Sequence, residues 1–240
     1  MSFDAGLFWS TLLSGTFFKA ALVALALTIL AHAAAILLSL PLALALNGQN
    51  KVLRWAATAY VAVFRALPAL LLLLFVWNGL PQIWPIFRES WFSPFIAALL
   101  ALTLNEAAYQ VEINRAALSA VDEGQFQAGA ALGLRKPQIF FLIVVPQALR
   151  VALPPTVNEF ITLLKTTSLA SVISLTELMA VTQQSVASTF RYAEFYAVAS
   201  LYYLAMVYVL MILQKRVERR FAWATPHAAG SDADKVPHRA

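Results

Sequence analysis

The chain contains no cysteine, so neither disulfides nor thiolate metal sites are open to it. Its three histidines, His32, His227 and His238, are too scattered for a metal cluster. Charge is scarce as well: Asp, Glu, Lys and Arg make up 12% of the 240 residues, against a usual ~25%. The phosphate-binding pattern G-x-x-x-x-G-K-[ST], the nucleophile elbow G-x-S-x-G and the zinc motif H-E-x-x-H are all missing. These absences argue against an enzyme and against a cofactor or metal held by the chain. What is abundant is apolar: AVILMFWYC account for 61%. A soluble domain of this size leaves too much surface in water to hide that excess. The expected class is therefore an all-α protein that crosses a membrane several times.

Residues 20–46 read AALVALALTILAHAAAILLSLPLALAL without one formal charge. A helix needs ~20 apolar residues to cross a bilayer. The run is too long for the apolar core of a signal peptide and reads as a retained span, with Pro41 expected to kink its last turns. Further runs lie at about 54–80, 91–115, 151–176 and 195–214. Five spans put the two ends of the chain on opposite sides. The chain divides into an external N-terminal segment (1–19), a transmembrane unit (20–215) and a cytoplasmic polar tail (216–240).

The net charge of +5 raises nucleic acid as a partner, but the distribution of the charges argues for topology instead. Lys51 and Arg54, then Arg115, Arg135, Lys136 and Arg150, then Lys215, Arg216, Arg219 and Arg220 all fall on one side in a five-span arrangement. Positive residues near span ends mark the cytoplasm. The opposite side holds Arg88 with Glu89, and Glu177, Arg191 and Glu194, which nearly cancel. The N-terminus is expected outside and the C-terminus inside, with Lys19 against the trend. Trp55, Trp77, Trp84 and Trp91 fall near the expected interfaces.

Residues 116–150, AALSAVDEGQFQAGAALGLRKPQIFFLIVVPQALR, are too polar to cross and too patterned for a linker. Asp122 and Glu123 suit the start of a helix. Gly133 suits its left-handed end. Pro137 suits the first turn of a second helix, expected to stop at Pro146. Two short helices at an angle follow, and an amphipathic loop lying on lipid headgroups is the plainer alternative.

This segment resembles the EAA loop of ABC importer permeases, E-A-A-x3-G-x9-I-x-L-P, with Gln127, Ala128 and Gly129, then Gly133, then Ile143, Val145 and Pro146 at the matching offsets. Gln127 stands where the family has Glu, Gly129 where it has Ala and Val145 where it has Leu. FRALPALLLLLFVWNGLP (64–81), LNEAAYQVEINRAAL (104–118) and PQALRVALPPTVNEFITLLKTTSLAS (146–171) are similar to the spans of the polar amino acid branch, the histidine/glutamate/glutamine/arginine/opine permeases. The resemblance implies a type I ABC importer transmembrane domain in the cytoplasmic (inner) membrane of a bacterium. It implies that loop 120–147 docks on a separate ATPase, which binds ATP and Mg. The contacts would come from Glu123, Gly124, Gln127, Ala128, Gly129, Gly133, Ile143 and Pro146. Because Gln127 lacks the family's charge, Glu123 one turn earlier is the expected ionic contact.

Ionisable groups at bilayer depth normally face a partner or a wet cavity. Arg65 and Glu106 reach similar depths and are expected to form an ion pair between helices, with substrate contact as the alternative. Glu112 and Arg115 suit a local i,i+3 pair. Glu159 and Thr166, seven apart, share a helical face; the resemblance implies that this face looks into the translocation path. Glu159, Thr166 and Glu106 are therefore the candidate substrate contacts, with one acid where a strongly cation-selective relative would have two. The alternative for Glu159 is a charge on another subunit. Most of the hydroxyl run Thr162, Thr166, Thr167, Ser168 and Ser171 is expected to bond backbone, and His32 to make a helix–helix hydrogen bond.

The function these readings support is the membrane subunit of an ATP-driven importer of a polar amino acid or derivative. Its partners would be an ATPase dimer, a second permease, identical or related, an external amino acid-binding protein and the bilayer. An ion-coupled secondary transporter is the alternative, although no internal repeat supports it; a non-transporting scaffold would leave the docking loop unexplained.

Overall fold

A computed structural model describes residues 3–221, and the regular structure among them is helical. In chain order the helices are α1 (Ala5–Leu12), α2 (Gly15–Asn47), α3 (Lys51–Ala66), α4 (Ala69–Ile83), α5 (Pro94–Ser119), α6 (Glu123–Ala131), α7 (Lys136–Ile173), α8 (Leu178–Thr189) and α9 (Tyr192–Phe221). Among the described residues, α2, α5, α7 and α9 are each long and apolar enough to cross a membrane; α3 and α4 make a fifth crossing if the bent pair counts as one broken span. The tail from residue 222 onward lies outside the described residues.

Helices α2, α5 and α7 form the centre. Their contacts are made by small side chains: Ala24, Ala31 and Ala35 of α2 and Ala97, Ala98, Ala101, Ala107 and Ala108 of α5 are buried. In lipid no hydrophobic gain separates helix from solvent, so close backbone approach through small residues supplies the packing. Leu27, Leu73, Leu102, Leu163 and Ile173 fill the middle of the same core. A second cluster joins Phe17, Ala20 and Ala21 of α2 to Leu178, Val181 and Val186 of α8 and to Phe195 and Val198 of α9.

Several expected boundaries move. The run 54–80 is not one straight span: α3 and α4 meet at 101°. Pro68 has no N–H to donate and its ring pushes Leu67 into an extended conformation (φ −76°, ψ 130°), which ends α3. The second short helix of the polar segment does not stop at Pro146. It runs on through a wider π turn, Phe140–Val144, into the span, so α7 is one 38-residue helix. A matching π turn, Phe75–Gly79, lies in α4. Each π turn ends two residues before a proline, Pro81 or Pro146; the missing proline N–H frees a carbonyl, and the preceding residue bonds five residues back (Leu80 to Phe75, Val145 to Phe140). Pro41 is carried within α2 without interruption. The N-terminal segment is tied down: the Asp4 N–H donates to Glu194 at 2.8 Å, the Tyr202 hydroxyl donates to the Leu12 carbonyl at 2.7 Å, and α2 begins at Gly15. Helix α8 was not expected from sequence.

Candidate functional site

The break between α3 and α4 opens one wall of a cavity of about 400 Å³. Arg65 and Ala66 end α3 there, Leu67 and Pro68 turn the corner, and Ala69 starts α4. Asn105, Glu106 and Tyr109 line it from α5, and Glu159, Thr162 and Thr166 from α7. The volume lies in the range of small-molecule sites. Glu106, Glu159 and Thr166, chosen from sequence, thus meet around one space.

The expected Arg65–Glu106 ion pair is not formed. Glu106 is buried (4% exposed) and its Oε1 lies 3.0 Å from His32 Nδ1, a hydrogen bond that joins α5 to α2. His32 is in turn held edge-on by Phe160, ring centroids 5.2 Å apart. Arg65 instead lies over the Tyr109 ring, 5.5 Å from its centroid. The sequence placed Arg65 and Glu106 at similar depth but could not show that the 101° bend swings Arg65 to the cavity edge. Asn105 donates to the Phe64 carbonyl at 2.8 Å and Tyr60 donates to the Leu104 carbonyl at 2.8 Å, fixing α3 on α5.

Glu159 is half-buried; its electrostatic neighbours are Glu106, His32 and Arg65, and among the described residues no hydrogen bond or ion pair engages its carboxylate. The hydroxyls behave as expected. Thr162 donates to the Asn158 carbonyl, Thr166 to Thr162, Thr167 to Leu164, Ser168 to Lys165 and Ser171 to Ser168, all at 2.7–3.1 Å. Of these, Thr162 and Thr166 line the cavity, where their oxygens can still accept. Pro68, as the residue before α4, has no side chain to accept from the first free amides of that helix. The cavity therefore offers a cation, a helix start and two acids on different walls.

The polar segment forms an elbow. Asp122 caps α6 by accepting from the Gly124 N–H, and Gly133 ends it at φ +78°. Lys136 and Pro137 open α7, and Gln138 accepts from the Arg135 N–H at 2.9 Å. At Gly129 the two helices nearly touch: a Cβ there would sit 2.9 Å from Ile139 Cγ1 and 3.1 Å from Ile143 Cδ1. Glycine in place of the resembled family's alanine is what this approach requires. Gln147 donates to Gln125 across the elbow at 3.2 Å. Glu123, Gly124, Gln127 and Ala128 face outward and exposed, Pro146 is exposed, and Ile143 is half-buried. Glu112 and Arg115 make the expected i,i+3 pair at 2.8 Å.

Glu177, read from sequence as one of several outer charges, is fully buried. Its carboxylate caps α8, accepting from the Met179 and Ala180 N–H groups at 2.9 and 2.8 Å, and the Tyr203 hydroxyl lies 3.4 Å away. Burial pushes its pKa up to about 7, offset in part by the amides and by Tyr203. Nothing local in TELMA marks it; the burial comes from α9 folding back over α8.

The sequence pattern of the binding-protein-dependent transport system inner membrane components matches residues 35–223. The chain is 40% identical over 164 residues to the probable amino-acid permease protein YxeN of Bacillus subtilis (strain 168), covering 68% of this chain and 72% of that protein. It is 37% identical over 166 residues to the L-cystine transport system permease protein TcyB of the same organism, covering 69% and 67%. A crystal structure of an amino acid ABC transporter with histidines superposes with a TM-score of 0.82 at 33% identity, over 92% of this chain and all of that one. The bent α3–α4 pair, the cavity it lines with α5 and α7, and the elbow thus sit in a chain that belongs to the binding-protein-dependent inner membrane components, the multi-pass permease subunits of ABC importers.

Proposed function

We propose that the cargo is a polar amino acid or derivative, held in the cavity by its two backbone charges, and that α6 is the lever on which a separate ATPase acts. The observation that carries the cargo reading is the presence, in one cavity of about 400 Å³, of Arg65 on α3 and of Glu159 on α7, whose carboxylate no hydrogen bond or ion pair engages among the described residues. Arg65, together with the start of α4, suits a carboxylate. Glu159, backed by Glu106, suits an ammonium. Thr162 and Thr166 remain to accept from the side chain. With Thr166 in place of a second acid on that face, the preference for a cationic side chain is weaker than in a site with acids at both positions. The amino acid relatives support the same class.

The topology we infer has the N-terminus outside and the C-terminus inside, supported by the cations at the α2–α3 turn, the elbow and the end of α9. The exposed side of α6 then faces the cytoplasm. The exposed Glu123 and Gln127 are the residues we assign to the ATPase contact. A second permease, identical or related by a twofold axis, would complete the pathway. Closure of the ATPase pair would push α6. Because α6 packs on α7 at Gly129, and α7 carries Glu159, Thr162 and Thr166, the push reaches the cavity wall.

The test is uptake of labelled amino acids into vesicles that hold the assembled transporter and its binding protein. Uptake is expected to stop without ATP and to survive a proton uncoupler. Dependence on an ion gradient would overturn the reading.

A further inference from the structure

Residues 20–46 of α2 carry one titratable side chain, His32, and it is not among the residues that line the cavity. It stands directly behind one of them. His32 is 7% exposed, and Glu106, which does line the cavity, is as deeply buried. His32 Nδ1 and Glu106 Oε1 are 3.0 Å apart, and Phe160 of α7 packs against the imidazole at 87°, which fixes the ring's rotation. Among the described residues the other Glu106 oxygen, Oε2, has no hydrogen-bond partner, and it is not sealed in the interior. Helix α2 thus engages one carboxylate oxygen and leaves the other for the cavity.

The direction of that hydrogen bond follows from the chemistry of the pair. A carboxylic acid is a stronger acid than an imidazolium, so a proton between them stays on nitrogen and Nδ1–H donates to the carboxylate. A carboxylate this buried needs such a donor, since an ionised oxygen without one is costly in apolar surroundings. The other charges of the cavity are Arg65 of α3 and Glu159 of α7, one of each sign. His32 and Glu106 are both electrostatic neighbours of Glu159. A lysine or arginine at position 32 would bring a permanent charge that cancels the carboxylate. An imidazole can donate from a neutral ring, so it holds Glu106 in place and leaves its charge for a ligand.

We propose that His32 is a positioning residue for cargo recognition: its Nδ1–H holds Glu106 ionised, with Oε2 toward the cavity, so that Glu106 and Glu159 together take the ammonium of an amino acid. His32 acts through Glu106 and touches no cargo. Without the donor, Glu106 takes up a proton and becomes a neutral acid, and the ammonium is left with Glu159 alone. This role rests on the amino acid reading of the cavity given above.

The test reads cargo binding to the purified complex of permease and ATPase, without the binding protein, by the rise in melting temperature that a ligand causes. The probes are the common L-amino acids and L-cystine and, for the one bound best, its N-acetyl form, which lacks the ammonium. The intact complex is expected to prefer the free amine by about tenfold or more in half-saturating concentration. His32→Leu is expected to cut that preference by about fivefold, while His32→Asn, whose amide nitrogen falls near the place of Nδ1, keeps most of it. In Glu106→Gln the preference is already reduced. Adding His32→Leu there is expected to change it no further, because the histidine acts only through the carboxylate. This double variant buries no unpaired carboxylate, so it gives the answer even where His32→Leu fails to assemble. A preference unchanged by His32→Leu, equal loss in His32→Leu and His32→Asn, or a further loss when His32→Leu is added to Glu106→Gln would overturn the role of His32 alone. No probe bound, or no preference for the free amine, in the intact complex would overturn the amino acid reading of the cavity and the role with it.

Discussion

The cavity and the elbow are built on opposite principles. At the cavity the backbone is broken, charged groups are left without full partners, and space is kept open between α3, α4, α5 and α7. At the elbow the helices on either side of the Gly133 turn are pressed together, space is eliminated at Gly129, and the charged and polar groups face outward. Recognition requires unpaired charge in a sheltered place, because a charge already satisfied by the protein has nothing left for a ligand. Transmission requires the reverse, since a close-packed contact moves as one piece.

The largest effect that would break this contrast is at the cavity. Arg65→Ala and Glu159→Gln are each expected to lower uptake by about tenfold or more, because each removes a charge-assisted contact. Vesicle uptake checks this, and unchanged uptake and cargo preference in Glu159→Gln would remove it from the site. Next is the elbow. Gly129→Ala forces a methyl group against Ile139 and is expected to destabilise the α6–α7 contact by about 1–3 kcal/mol. ATP hydrolysis would persist while uptake falls, and Ile139→Ala in the same chain should restore part of the loss. If Gly129→Ala transports normally, the elbow is not a stiff joint.

A smaller effect lies outside both regions, at Glu177. Its native pKa is raised from 4.5 to about 7, so between those values the folded protein holds a proton that the unfolded chain releases. Stability is therefore greatest below about pH 4.5, falls as pH rises through the window and levels off above about pH 7. Glu177→Gln should flatten this dependence, raising the melting temperature at about pH 8 and leaving it nearly unchanged at about pH 4. Thermal unfolding in detergent reads this out. The smallest effect is expected at the exposed end of the elbow: Glu123→Ala should weaken ATPase co-purification by about threefold, and Gln127→Ala by less, since an exposed ionic contact is worth little. The reverse order would make Gln127 the main contact.

Much of this was legible because membrane crossing and helix ends depend on local chemistry. The charge-free run 20–46, the cap at Asp122, the left-handed Gly133 and the Glu112–Arg115 pair all follow from short-range rules. The shared face of Glu159 and Thr166 followed from helical periodicity, and the backbone bonding of Thr162, Thr167, Ser168 and Ser171 from the habits of hydroxyls in apolar helices. The His32 contact was foreseen in kind, but its partner Glu106 was not, because sequence depth gives position along an axis and not rotation about it.

What the sequence determined alone was therefore the class of the protein: which segments are too oily for water, where the helices start, and which few charges have no business in lipid. The pairing of those charges was decided in three dimensions. The bend at Pro68 sent Arg65 to Tyr109, the return of α9 over α8 buried Glu177, and the packing of α2 on α5 gave Glu106 to His32. The reason is physical: apolar burial is set by composition and is additive along the chain, whereas a hydrogen bond or ion pair depends on angles between helices that no single segment contains.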